Sequence, residues 1–326
     1  MRIVLCYPIE PKHLALIQAA ATGHEVVDAG QERIAAELLE ADVFCGHAKV
    51  PVPWPEVVRR GRLKWIQSSA AGLDHCLTPE TIASPILVTS ASGLFADQVA
   101  EQTLALLLGL LRGLPTFFRA QQKREFIRRP TRDLTGATVG IVGLGGNGTR
   151  LAQVLQPFRT RIIATDMFTD QQPPQVAELR HADQLDWLLA ESDIVILCVP
   201  LNEQTQGMIA WPQLARMKRG AILINVARGP VVIESDLVVA LTTGQLAGAG
   251  LDVTEVEPLP ADSPLWDLPN VIITPHVGAQ SDKRADDTTN LVCENLRRYL
   301  AGKPLLNLVD KRLGYPTRVG RASGRP

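Results

Sequence analysis

Thr138-Val139-Gly140-Ile141-Val142-Gly143-Leu144-Gly145-Gly146-Asn147-Gly148 decides the fold of this chain. A short apolar run, strand-like in composition, flows into a Gly-x-Gly-x-x-Gly turn, and a helical pattern over Gly148–Gln156 follows. Each glycine answers a physical need. Gly143 permits the tight turn, Gly145 lets the backbone approach a pyrophosphate with no Cβ in the way, and Gly148 lets helix pack close on strand. The helix N-terminus offers unsatisfied N–H groups and a positive dipole end to phosphate, and Gly146 and Asn147 of the turn are expected beside the cofactor. The next strand, Arg161–Thr165, ends at Asp166, where a carboxylate accepts from both ribose hydroxyls and repels a 2′-phosphate. No Arg or Lys follows Asp166 directly, so the turn favours NAD over NADP.

Working outward, strand-like runs alternate with helical patterns on both sides. Upstream lie Ile3–Tyr7, Glu25–Asp28, Val43–Gly46, Trp65–Ser68 and Ile86–Thr89, with a helix over Pro11–Ala21. Downstream lie Ile194–Val199, Ala221–Val226, Gly248–Leu251 and Val271–Thr274, with helices over Gln184–Ala190 and Asp286–Ala301. The later runs are almost continuously apolar, as strands covered on both faces require. This alternation predicts an α/β protein with doubly wound parallel sheets. Between the two blocks, Asp97 to about Glu125 reads as one long helix, with Leu104, Leu107, Leu108 and Leu111 at helical spacing. From residue 313 the tail is basic, rich in Gly and Arg, and is expected to be disordered.

Bulk properties exclude several classes. The 326 residues suffice for two domains and a sizeable core. A net charge of -1 gives no electrostatic case for nucleic acid or anionic membrane as the main partner. The five cysteines, Cys6, Cys45, Cys76, Cys198 and Cys293, are odd in number and form no Cys-x-x-Cys pair, which fits free thiols in a reducing cytoplasm. The longest apolar stretch, Thr103–Leu111, is far short of a membrane span, and the N-terminus reads as a strand rather than a signal peptide. No metal-ligand spacing stands out. The expectation is a soluble, cytoplasmic protein.

Three residues at the ends of downstream strands carry chemistry. His276, in Thr274-Pro275-His276-Val277-Gly278, is the natural acid–base group near neutrality. Glu257 is the candidate carboxylate to hold it, with Glu255 the nearest competitor. Arg228, in Asn225-Val226-Ala227-Arg228-Gly229, has the planar fork that grips a carboxylate. Asp252 closes the strand Gly248–Leu251 and is placed to face a nicotinamide. A bound dinucleotide, a proton donor and a carboxylate clamp together are the parts of a hydride-transfer site for a 2-keto or 2-hydroxy acid.

With these residues in hand, the chain resembles the D-isomer-specific 2-hydroxyacid dehydrogenases from about Ile3 to about Asn307. Ser69-Ala70-Ala71-Gly72-Leu73-Asp74 resembles the substrate-carboxylate loop of that family, implying that the N–H groups of Ala71 and Gly72 bind substrate. Val199-Pro200-Leu201-Asn202 with Thr205 resembles the segment passing over the cofactor, implying contacts from Pro200 and Thr205. The motifs around Arg228, Glu257 and His276 resemble the family's own, and add Val226, Ala227 and Gly278 as cofactor neighbours. Asn147 departs from the apolar branched residue usual at its position. The resemblance implies a discontinuous substrate domain (1–97 and 287–312, flavodoxin-like) and an inserted Rossmann domain for NAD (98–286), with the active site in a cleft. It also implies a homodimer through the cofactor domain and oxidoreduction of a small acid of the glyoxylate, hydroxypyruvate or phosphoglycerate kind. A second reading, an NAD-sensing corepressor-like scaffold with little turnover, ranks below the enzyme.

Overall fold

The computed structural model describes residues 1–316. The chain divides into two compact units, Met1–Phe95 with the segment from Ser281 onward, and Ala96–Gln280. Each is an open parallel sheet with helices on both faces.

The first unit runs β1 (Arg2–Cys6), α1 (Pro11–Ala20), β2 (Glu25–Asp28), α2 (Gly30–Glu37), β3 (Val43–Gly46), α3 (Trp54–Arg60), β4 (Trp65–Ser68), α4 (Pro79–Ala83) and β5 (Leu87–Thr89). Its strands lie in the order β2-β1-β3-β4-β5, all parallel. This is the flavodoxin-like order, with its switch point between β1 and β3. Side chains alternate across the sheet. Val4, Phe44, Ile66 and Val88 pack with Ile34 and Val57 on one face, while Ile3, Leu5, Val43 and Trp65 pack with Ile17 on the other.

The second unit opens with α5 (Ala96–Leu111) and α6 (Leu114–Gln122). The single helix expected from Asp97 to about Glu125 is therefore two helices, meeting at a bend of 69°. The break is at Gly113, which takes φ +68° between them, followed by Pro115 in the first turn of α6. Glycine adopts that left-handed conformation without cost, and proline is at home only in a first turn. Then come β6 (Thr138–Val142), α7 (Gly146–Leu155), β7 (Arg161–Asp166), β8 (Glu178–His181), α8 (Leu185–Glu191), β9 (Ile194–Leu197), α9 (Trp211–Arg216), β10 (Ala221–Asn225), α10 (Glu234–Thr242), β11 (Leu246–Leu251) and β12 (Val271–Ile273). The sheet order is β12-β11-β10-β9-β6-β7-β8, again wholly parallel. The order reverses between β6 and β9, the place where such sheets bind ligands. Ile141, Ile196 and Ile224 face α5 and α7 with Leu106, Leu107 and Leu151. Val195, Leu197 and Leu223 face the other way, onto Leu188, Leu214 and Leu237.

The chain then returns to the first unit as α11 (Arg284–Leu300), β13 (Val309–Asp310) and β14 (Tyr315–Pro316). Val292 and Leu296 of α11 complete the core beneath Ile3 and Trp65. Asn295, fully buried, donates to Gln67 of β4 at 2.7 Å and exchanges two bonds with Leu306. The guanidinium of Arg284 lies 4.6 Å from the ring centre of Phe95, so the closing helix joins this unit slightly earlier than residue 287. The stretch expected to be disordered from 313 begins instead with a paired segment, because Tyr315 and Pro316 pair antiparallel with Asp310 and Val309. Residues 317–326 of that expectation lie outside the described residues.

Candidate active site

Two glycines of the turn are dictated by the protein itself. Gly143 has φ +93°, and a Cβ there would meet the backbone of Cys198 at 3.0 Å. A Cβ on Gly148 would stand 2.1 Å from the carbonyl oxygen of Gly143. Gly145 is different: its φ is -70°, and a Cβ would meet nothing within 4 Å. No packing reason explains that glycine. A ligand approaching the backbone there does, and the first-turn N–H groups of α7 at Gly146, Asn147 and Gly148 adjoin it. The residues fit a dinucleotide pyrophosphate. The Asn147 side chain makes no hydrogen bond within the described residues, so it remains available to such a ligand.

Asp166 sits where the sequence placed it, ending β7. One carboxylate oxygen accepts from the N–H of Leu144 at 2.6 Å, the other from Phe168 at 2.9 Å. The charge is thus pinned to the glycine turn. Thr205 spends its hydroxyl on its own loop, donating to the carbonyl of Pro200 at 2.6 Å and accepting from Asn202 N–H at 2.9 Å. It shapes the segment near β9 rather than offering a free hydroxyl.

The Arg loop follows β10. Buried Asn225 accepts from the N–H of Ala227 at 3.0 Å and donates to the carbonyl of Arg228 at 3.1 Å, clamping Val226 and Ala227 between them. The Arg228 guanidinium reaches back to the Ala227 carbonyl at 2.7 Å. Gly229 then passes so close to the Glu loop that a Cβ would lie 1.7 Å from the Thr254 carbonyl oxygen. The structure separates the two glutamate candidates. Glu255 turns away and accepts from Glu234 N–H at the start of α10, 2.7 Å. Glu257 meets His276, carboxylate oxygen to Nδ1 at 2.8 Å, and also accepts from Thr254 N–H at 3.2 Å. Burial pushes the Glu257 carboxyl up, but the His276 hydrogen bond and charge, the Thr254 N–H and the nearby Arg228 charge outweigh it, holding the group below its ordinary range.

Asp252 has work within the protein that the sequence did not show. The residue is only 3% exposed, and its carboxylate is taken up by the loop that carries His276. It accepts from Thr274 Oγ1 at 2.7 Å, from Val277 N–H at 3.0 Å and from Gly278 N–H at 2.8 Å. A carboxylate so engaged holds the loop first, whatever it does toward a nicotinamide. Gln102, on α5, donates to Thr274 at 2.9 Å. Sequence reading missed Gln102, whose partner Thr274 lies 172 residues away, and gave Asn225 no role of its own although its partners are only two and three residues off.

In the first unit, the loop after β4 is shaped by Ser68, whose hydroxyl accepts from Ala70 N–H at 3.0 Å. The N–H groups of Ala71 and Gly72 find no acceptor among the described residues. No group of His, Cys, Asp or Glu suited to a metal ion occurs among the described residues. All five cysteines are free thiols, and burial pushes Cys198, beside the glycine turn, up to about 12.

This geometry agrees with what the chain is similar to. Residues 104–278 match the model of the D-isomer specific 2-hydroxyacid dehydrogenase NAD binding domain. A glyoxylate reductase of Thermofilum pendens is 37% identical over 257 residues, covering 76% of this chain and 75% of its own. A D-3-phosphoglycerate dehydrogenase of Methanocaldococcus jannaschii is 28% identical over 95% of this chain, which spans 59% of that relative's length. The crystal structure of a D-isomer specific 2-hydroxyacid dehydrogenase from Xanthobacter autotrophicus Py2, in complex with NADPH and MES, superposes with a TM-score of 0.82 at 32% identity, covering 96% of this chain and 99% of that one. The chain is thus an oxidoreductase acting on CH–OH groups, and it belongs to the D-isomer specific 2-hydroxyacid dehydrogenase family.

Proposed function

We propose that this protein reduces a short 2-keto acid of the glyoxylate or hydroxypyruvate class to the D-2-hydroxy acid, with NADH. The contact that carries the reading is His276 Nδ1 to Glu257 at 2.8 Å. With Nδ1 so engaged, Nε2 is the nitrogen left to give a proton to the substrate carbonyl oxygen. When bound, the dinucleotide supplies the hydride to C2. Glu257 stabilises the imidazolium before transfer and fixes which nitrogen faces substrate. Arg228 holds the carboxylate and polarises the ketone. We assign a substrate-binding role to the Ala71 and Gly72 N–H groups, on the resemblance of their loop and their lack of acceptors among the described residues.

NADH rather than NADPH is supported by Asp166, whose negative charge faces the turn and is followed by Met167-Phe168-Thr169 with no cation. The test is a panel of short 2-keto acids with each cofactor, run on the wild type and on His276→Ala. Turnover with NADH should exceed that with NADPH, and His276→Ala should lower kcat by about 10²–10⁴-fold. Unchanged turnover in the variant removes His276 from the mechanism; faster turnover with NADPH overturns the cofactor assignment.

We also infer a homodimer built on the second unit. Leu114, Phe118 and Phe126 are 39%, 58% and 95% exposed in one chain, a cost to solubility that a second copy relieves.

A further inference from the structure

His276 is held in a conformation that residues with a Cβ rarely adopt, φ +55°. Such strain persists only where the surroundings over-determine it. Here Asp252 supplies most of them, with the Thr274 carbonyl accepting from His276 N–H at 3.0 Å and Glu257 on the ring. His276 N–H donates to the main-chain oxygen of Asp252 at 2.8 Å, and the next two N–H groups, of Val277 and Gly278, donate to the Asp252 carboxylate at 3.0 and 2.8 Å. Asp252 can impose that geometry only if its own carboxylate is fixed in rotation. The Thr274 hydroxyl supplies the fix, at 2.7 Å.

The direction of the next bond follows from chemistry. A carboxylate only accepts, so Thr274 must spend its one proton on Asp252. Its lone pairs then face the side-chain amide of Gln102, which must present the NH2 group, at 2.9 Å. With a donor at that place, the hydroxyl has one orientation. Space is tight on the same side: a Cβ on Gly278 would stand 2.7 Å from Asp252 Oδ2 and 3.6 Å from Gln102 Cγ.

We propose that Gln102 is a positioning residue for the reaction, acting through Thr274 and Asp252 on the strained backbone of His276. It touches no reacting atom. It ties the acid–base loop to α5, which is packed into the core at Leu106 and Leu107. The inference rests on the reading of His276 as the acid–base group.

The test compares Gln102→Leu, Thr274→Val and the double variant with the wild type. Gln102→Leu keeps bulk and removes the donor. It should lower kcat about tenfold while KM and the Kd for NADH move less than about threefold, the pattern of a lost transition-state contact. The double variant should be no slower than Thr274→Val alone, since both act in one string. In protein without cofactor, amide exchange at Val277 and Gly278 should quicken about tenfold in Gln102→Leu. Independent, multiplying effects on kcat, or unchanged exchange at those two amides, would overturn the proposal. Equal losses in kcat, KM and Kd with a lowered Tm would do so too, by showing a general role in stability. A wild type with no turnover on any 2-keto acid would sink the proposed function instead, and the exchange measurement would still decide whether the string exists.

Discussion

Glu257 shows how much one carboxylate can settle. Held below its ordinary pKa, it remains ionised on mild acidification. The sign follows: a depressed folded pKa contributes stability above the unfolded pKa, lost as pH falls through the folded one. With the side chain 38% exposed, that contribution is small, and the consequence is catalytic. Glu257→Gln keeps the shape and removes the charge; kcat should fall by about 10–100-fold with little change in Tm, read by steady-state kinetics and thermal melts. An unchanged kcat would mean that His276 needs no anion. Arg228, Glu257 and His276 were singled out in the sequence because each follows a strand-like run. The choice of Glu257 over Glu255 was not legible there, since both lie in one loop and only the fold shows Glu255 spent on the start of α10. The part of Asp252 in holding the His276 loop was not legible, because the sequence cannot show that three loop groups turn inward to its carboxylate.

At the scale of elements, the turn between β6 and α7 separates two kinds of glycine. A Cβ on Gly148 would strike the Gly143 carbonyl oxygen, whereas one on Gly145 would meet nothing within the protein. Gly148→Val should therefore cost stability by several kcal/mol or prevent folding, as overpacking against a backbone oxygen does. Gly145→Val should fold with a near-normal Tm yet weaken NADH binding by at least about tenfold, measured by fluorescence titration. Equal loss of stability in both would remove the distinction. The strands that the sequence announced are the buried ones, whose uninterrupted apolar runs leave no other reading. β8, Glu178-Leu179-Arg180-His181, went unseen because it is a half-exposed edge strand with one apolar residue. The α5–α6 break also escaped, since leucines at helical spacing hide a turn marked by Gly113 and Pro115.

At the scale of the whole molecule, most apolar surface is buried in two separate sheets, and what remains exposed is informative. Light scattering should give twice the mass of one chain, and Phe118→Asp with Phe126→Asp should shift it toward one. A wild type that scatters as a single chain would leave those phenylalanines without an explanation. The outline of two α/β units was readable from alternation alone. Their discontinuity was implied by resemblance rather than by pattern, because nothing local in Arg284–Leu300 says which sheet it will cover. That discontinuity matters during synthesis. A ribosome making this chain delivers the second unit whole, as one uninterrupted stretch, while its host still lacks the helix that roofs Ile3 and Trp65 and the strand pair beside β5. The nascent first unit must wait with one side of its sheet covered by α1 alone, and the apolar surface left open there is what a chaperone would meet.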